Sequence, residues 1–224
     1  MRCRRRRQRN DGRLRLGIWR LAGLAVSASL LSLPAIAAGE PVSDLHGVDI
    51  GMVVKDLPPS GYHNLWCLEA PKQQLEGWSD WTSCPADADG LHGLHVEYDQ
   101  PGQDTMVAGH PVDLSVYFDS AARVARIEIK TLEHTSLYMR KKAYRLGGQA
   151  IEHYGEEGWT CAKAQPGSNE EPIGDIYIND TCTKTLGARA IEVKRRFFHK
   201  SGGAAKDFVS EGRVVISLRN SEAK

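Results

Sequence analysis

The sequence predicts an α+β fold made of two tandem units, each a helix with an antiparallel sheet and each tied by one disulfide. Three observations support this prediction. One long segment, residues 136–154, repeats apolar residues at helical spacing. Runs in which apolar and polar residues alternate lie before and after it, as in strands with one face in water. One pair of cysteines lies on each side of the segment.

The first 37 residues are predicted to be a signal peptide and not part of the fold. They are rich in arginine, residues 21–36 are apolar and uncharged, and Ala35-Ile36-Ala37 has the form of a cleavage site. The alternative is an uncleaved N-terminal anchor, although the apolar stretch is shorter than the roughly 20 residues of a membrane span. We therefore expect a periplasmic or secreted protein with no stable membrane span after processing.

Removal of this leader changes the charge of the chain. The whole sequence has 29 Lys+Arg and 28 Asp+Glu, and residues 1–37 contain nine of the arginines and one of the acids, Asp11. Subtraction leaves 20 basic and 27 acidic residues, a net charge of −7. A nucleic-acid partner is not expected, because phosphate recognition needs a basic surface.

The predicted first unit covers residues 38–132. Residues 50–57 are expected to form a short helix that Pro58-Pro59 ends. A polar loop, residues 71–85, follows this helix. Alternating runs then predict strands at residues 94–98, 112–118 and 125–129, and the last two are expected to form a hairpin.

The predicted second unit, residues 133–220, begins with the central helix. Ser136 is the predicted N-cap, and Gly155 lies just beyond the last periodic residue. Gly147-Gly148 is the weak point, because each interior glycine costs about 1 kcal/mol relative to alanine. The helix is therefore expected either to bend or break there or to consist of two short helices. The apolar stripe consists of Met139, Ala143, Leu146, Ala150 and Tyr154.

Four strands are predicted after this helix, near residues 157–163, 176–182, 191–197 and 214–218, with a tail at 221–224. A basic cluster lies near the front of the helix. It is either an ordinary solvated helix surface or a docking patch for an acidic partner. Its members are Arg140, Lys141, Lys142 and Arg145.

Four cysteines in an exported chain predict two disulfides. We favour the pairs Cys67–Cys84 and Cys161–Cys182, because each closes a short loop. A loop of that length contributes about 3 kcal/mol by the chain-entropy argument. A zinc site is the alternative, but no C-x-x-C occurs and the spacings match no common zinc ribbon.

No catalytic residue, metal site or cofactor is predicted. Asp87-Ala88-Asp89-Gly90 is similar to part of a calcium loop, but two ligand positions of that loop are not matched. His92 and His95 have the spacing H-x-x-H, but in a strand residues three apart point to opposite faces. The two histidines are therefore not expected to bind one metal ion together. Sequence motifs of serine hydrolases, zinc proteases and phosphate-binding loops are absent.

Three strings carry a resemblance to known proteins: HGVDIGM at residues 46–52, a hairpin that ends in a threonine, and KKAY…L…YGEEGW from residue 141 onward. They resemble uncharacterised secreted proteins of proteobacteria. In its order of elements the chain is also distantly similar to the small lipoprotein of the β-barrel assembly machinery and to tandem β-lactamase inhibitor proteins. This resemblance implies a tandem α+β arrangement.

The function predicted from the sequence is that of an exported soluble binding or inhibitor-like protein of the bacterial envelope. A protein partner in the envelope is expected, because no catalytic motif accompanies a disulfide-tied frame. The alternatives are an envelope hydrolase whose site is assembled from distant residues and a structural envelope-assembly factor. The candidate contacts are aromatic side chains of the kind that anchor interfaces: Tyr62, Trp66, Trp78 and Trp81.

Overall fold

Antiparallel strands form most of the regular structure in this computed structural model, which describes residues 43–71, 73–99, 104–204 and 206–219. Eight strands of the described part lie in the order β1-β2-β4-β5-β10-β9-β8-β6, while β3 pairs with β4 and β7 pairs with β9. The strands are β1 (Tyr62–Cys67), β2 (His92–Tyr98), β3 (Met106–Val107), β4 (His110–Phe118), β5 (Val124–Thr131), β6 (Thr160–Lys163), β7 (Glu170–Glu171), β8 (Ile178–Leu186), β9 (Arg189–Lys200) and β10 (Phe208–Leu218).

The predicted fold class, two tandem helix-plus-sheet units, is wrong. Strand β5 from the first half of the chain pairs with β10 from the second half, with Ile127 opposite Ile216 and Ile129 opposite Val214. The physical reason is that the β4–β5 hairpin leaves one backbone edge of β5 unpaired, and buried backbone groups need hydrogen-bond partners. The long strand β10 supplies them, so both halves contribute to one sheet.

The two faces of this sheet differ in polarity. Val214 and Ile216 of β10 are nearly inaccessible to solvent, while Arg213 and Ser217 lie on the other face and are partly exposed. The same alternation runs through β4 and β5, as the period of two in the sequence predicts. We call the two sides the apolar face and the polar face.

The central helical segment is divided into α1 (Leu137–Arg140) and α2 (Arg145–His153). The division precedes Gly147 and Gly148, and α2 runs through both glycines. A Cβ atom on Gly147 would lie 2.5 Å from Cγ of Arg195 on β9, whereas one on Gly148 would meet nothing within 4 Å. Gly147 therefore lets α2 approach the apolar face closely.

The helix predicted at residues 50–57 is replaced by a single 3-10 turn, Val54–Asp56. The residues before this turn are bound to the sheet instead: the backbone N–H of Gly51 donates to the carbonyl of Val124, and that of Val124 donates to Met52. A second 3-10 turn, Trp78–Ser83, lies in the predicted polar loop. Tertiary hydrogen bonds thus overrode the helical spacing of this short segment.

Both predicted disulfides are confirmed. Cys67 is bonded to Cys84 and Cys161 to Cys182, across 17 and 21 residues of sequence. Two disulfides indicate a protein that folds in an oxidising compartment. The predicted signal peptide, residues 1–37, and the tail, residues 221–224, lie outside the described residues. No helix within the described ranges is long and apolar enough to cross a membrane.

Candidate ligand-binding cleft

A cleft of about 590 Å³ opens on the apolar face, between α2 and the segment of residues 43–46. Its floor is formed by β5 and β10, and its far end by the turn between β3 and β4. Apolar side chains form most of its wall. These apolar residues are Leu45, Val107, Ala108, Ile129, Leu146, Ala150 and Val214.

The cleft exists because the layer over the apolar face is discontinuous. Helix α2 lies over β9 and β10, where Gly147 contacts Val193 and Arg195, and where Gly212 lies under the start of the helix. The other covering segment contributes Leu45 and Val48, which are buried in the hydrophobic core. A strip of sheet around Ile129 and Val214 lies between these two covering elements.

One wall of the cleft is held by a buried ionic network around Asp44. Its carboxylate is fully buried and accepts hydrogen bonds from Nε of Arg189 at 2.6 and 2.8 Å. The backbone N–H of Ile50 and the hydroxyl of Tyr154 also donate to it, at 2.9 and 3.1 Å. Because each carboxylate oxygen is hydrogen-bonded, the wall is a rigid and satisfied structure.

The electrostatics of this network follow from its burial. Burial, and then the charge of Asp44 and its hydrogen bond, raise the pKa of the Tyr154 hydroxyl, so this group stays protonated and remains a donor. Burial alone would lower the pKa of Arg189, but the hydrogen bonds and the charge of Asp44 outweigh it and raise that pKa. Arg189 therefore carries its positive charge at neutral pH.

Polar side chains at the mouth of the cleft come from α2. Gln149, Glu152 and His153 are exposed there, and Nε2 of His153 lies 2.8 Å from the carbonyl oxygen of Ser43. Behind them, the buried ring of His110 hydrogen-bonds Gln149, and burial lowers the pKa of His110, so its ring is neutral at pH 7. Among the residues that the structure describes, no lysine or arginine lines the cleft.

The four aromatic residues predicted as contacts lie elsewhere. Trp81 is buried against Phe118, and Trp78 is half-buried, with its indole N–H donating to the carbonyl of Pro58. Tyr62 packs edge-on against Trp78. Trp66 lies on the polar face, stacked on His95 with 3.9 Å between ring centroids. The structure thus separates Trp66 from the other three, and none of the four lines the cleft.

The other sequence motifs have structural partners. Asp87 and Asp89 both form ion pairs with Arg126. Nδ1 of His92 lies 2.6 Å from the carbonyl oxygen of Cys84. The ring of His95 lies on the opposite face of β2. Across the described ranges, no group of three His, Cys, Asp or Glu side chains is placed to hold a metal ion.

The sequence offered a signal for only part of this cleft. The apolar stripe of the central helix identified Leu146, Ala150 and Tyr154, all of which line it. Asp44 gave no signal, because its partner Arg189 is 145 residues away. No family model, curated protein or solved structure matches the chain. Its function is therefore argued from the geometry of the cleft.

Proposed function

We propose that this protein is an exported binding protein that holds one small ligand with an apolar body in the cleft beneath α2. The observation that carries the proposal is the cleft itself, about 590 Å³ with mostly apolar walls. This volume lies within the roughly 300–1,000 Å³ of small-molecule sites. Burial of about 200 Å² of apolar ligand surface would contribute roughly 5 kcal/mol before the costs of association.

The charges around the cleft indicate the polar end of the ligand. The Asp44 carboxylate is neutralised by Arg189, while Glu152 at the mouth forms no ion pair within the described residues. Because the described residues of the wall include no lysine or arginine, an anionic head group would lose its hydration without gaining a charged partner there. The ligand therefore has a cationic or neutral head, which Glu152 or the amide of Gln149 can bind.

Displacement of the fluorescent probe N-phenyl-1-naphthylamine tests this proposal. Dodecylamine, dodecanol and laurate share one apolar tail and differ in head-group charge. We expect the amine and the alcohol to displace the probe and laurate to be at least about tenfold weaker, a difference of roughly 1.4 kcal/mol. If laurate displaced the probe as well as the amine and the alcohol do, the proposed head-group preference would be wrong. No binding of any of these compounds would remove the proposed function.

A blocking substitution gives the second test of the cleft. Ala150→Phe places a ring in the cleft from α2 and is expected to weaken probe binding at least about tenfold. The matched control is Ala188→Phe, on the exposed turn between β8 and β9, which should leave binding unchanged. Urea unfolding of both variants checks that the fold persists. Undiminished binding by a folded Ala150→Phe protein would contradict the proposal.

Inhibitor-like protein binding through the polar face is the second candidate function. A trough of about 640 Å³ crosses this face, and Arg126, Glu192 and Arg213 lie along it. Such an uncovered trough could accept a loop of a partner protein. Calorimetric titration with a purified β-lactamase, the kind of partner implied by the distant sequence similarity to tandem β-lactamase inhibitor proteins, tests it. A heat of binding that the wild-type protein gives and the Glu192→Arg variant does not would support this candidate. The absence of any heat of binding with the wild-type protein would exclude it.

A further inference from the structure

The surface of α1 exposes two large apolar side chains. Leu137 is 46% exposed and Tyr138 is 66% exposed, and they are two of the four exposed large apolar residues in the described part of the chain. Both precede the basic cluster by only a few residues. Exposed apolar side chains that lie together in a soluble protein mark an interaction site more often than isolated ones do.

The basic cluster next to them is not neutralised. Arg140, Lys141, Lys142 and Arg145 form no ion pair with any residue that the structure describes. The guanidinium of Arg140 lies over the ring of Phe208 at 5.1 Å, and the ammonium of Lys142 lies over the ring of Tyr138 at 3.8 Å. The side chains of Lys141 and Arg145 are exposed to solvent.

The positive charge of this cluster is opposite in sign to the net charge of residues 38–224. Residues 38–224 have a net charge of −7, yet four cations occur within six consecutive residues of this surface. The nearby acid Glu133 forms an ion pair with Lys130 instead of with the cluster, with 3.1 Å between Nζ and Oε1. We define the basic–apolar patch by its six residues: Leu137, Tyr138, Arg140, Lys141, Lys142 and Arg145.

We propose that the basic–apolar patch adsorbs reversibly onto a lipid bilayer with anionic head groups. Its chemistry fits that surface, because lysine and arginine attract anionic head groups while leucine and tyrosine enter the interfacial layer. Each cation near such a surface strengthens binding by about fivefold. Four cations together therefore strengthen binding to the anionic surface several hundredfold.

The size of the patch favours a bilayer over an acidic protein. A stable protein interface takes about 20–30 residues from each partner, and the patch has six. A bilayer needs no shape complementarity, so a small set of cations with two apolar anchors suffices for weak, reversible adsorption. This proposal does not depend on the cleft or on what the cleft binds.

Co-sedimentation with vesicles tests the proposal on the exported form of the protein, with its N-terminus verified by mass spectrometry. One vesicle preparation contains about 30% phosphatidylglycerol in phosphatidylcholine, and the other contains phosphatidylcholine alone. We expect binding to the anionic vesicles only, and weaker binding at high salt. Equal binding to both preparations, or to neither, would overturn the proposal.

Three variants identify the surface responsible. Lys141→Gln/Arg145→Gln should lower the partition coefficient about 25-fold, which is two charges at about fivefold each. Leu137→Ser/Tyr138→Ser should lower it as well, without a change in net charge. The control Lys55→Gln/Lys163→Gln removes two exposed cations outside the patch and should bind more tightly than Lys141→Gln/Arg145→Gln by at least tenfold. If all variants bind alike, or if poly-L-glutamate binds the protein and vesicles do not, the patch does not bind a bilayer.

Discussion

Asp44→Ala is expected to lower the free energy of unfolding by about 3–5 kcal/mol, because it removes the fully buried carboxylate that forms an ion pair with Arg189. The hydroxyl of Tyr154 and the backbone N–H of Ile50 would lose their acceptor as well. Urea unfolding with both disulfides intact measures this loss. The segment of residues 43–46 is expected to detach from the cleft, so binding of the naphthylamine probe should fall in parallel.

The matched control is Glu133→Ala. Glu133 also forms an ion pair, with Lys130, but both side chains are exposed, at 67% and 37%. Exposed pairs contribute about 0–1 kcal/mol, because water and salt screen them. A double-mutant cycle between Asp44→Ala and Arg189→Ala should show that the two losses are not additive. A loss at Asp44 as small as the loss at Glu133 would show that the network does not hold the wall.

Gly212→Ala is expected to destabilise the protein by about 2–3 kcal/mol, because α2 packs directly on this position. A Cβ atom there would lie 2.7 Å from the carbonyl oxygen of Ala143 and 2.9 Å from Cβ of Leu146. Backbone atoms cannot rotate away as a flexible side chain can, so the helix itself must move. Thermal unfolding measures the loss of stability, and the probe assay measures the change in the cleft.

The matched control for this substitution is Gly148→Ala on α2. A Cβ atom on Gly148 would meet nothing within 4 Å, so only helix propensity changes there. We expect Gly148→Ala to stabilise the protein by up to about 1 kcal/mol. Gly147→Ala, with 2.5 Å to Cγ of Arg195, should again destabilise it. If alanine at positions 148 and 212 had the same effect, close packing of α2 on the sheet would not explain the glycines.

The wrong prediction of two helix-and-sheet units has a specific origin. The central helix and the two cysteine pairs suggested two similar halves, and most local predictions, apart from the helix at residues 50–57, were close to the structure. Pairing between Ile127 of β5 and Ile216 of β10 is a contact between distant strands, and alternation within a strand does not say which strand pairs with it. The order of the sheet could therefore not be predicted from spacing.

Local chemistry was sufficient for the features that depend on near neighbours. The alternation of apolar and polar residues predicted β2, β4 and β5 and the polar face, because side chains in a strand point to opposite sides. Short loops between cysteines predicted the pairs Cys67–Cys84 and Cys161–Cys182. The tertiary structure alone decided the single sheet, the Asp44–Arg189 pair and the cleft beneath α2. Each of these depends on groups far apart in the chain, and sequence spacing carries no information about which distant groups meet when the sheet forms.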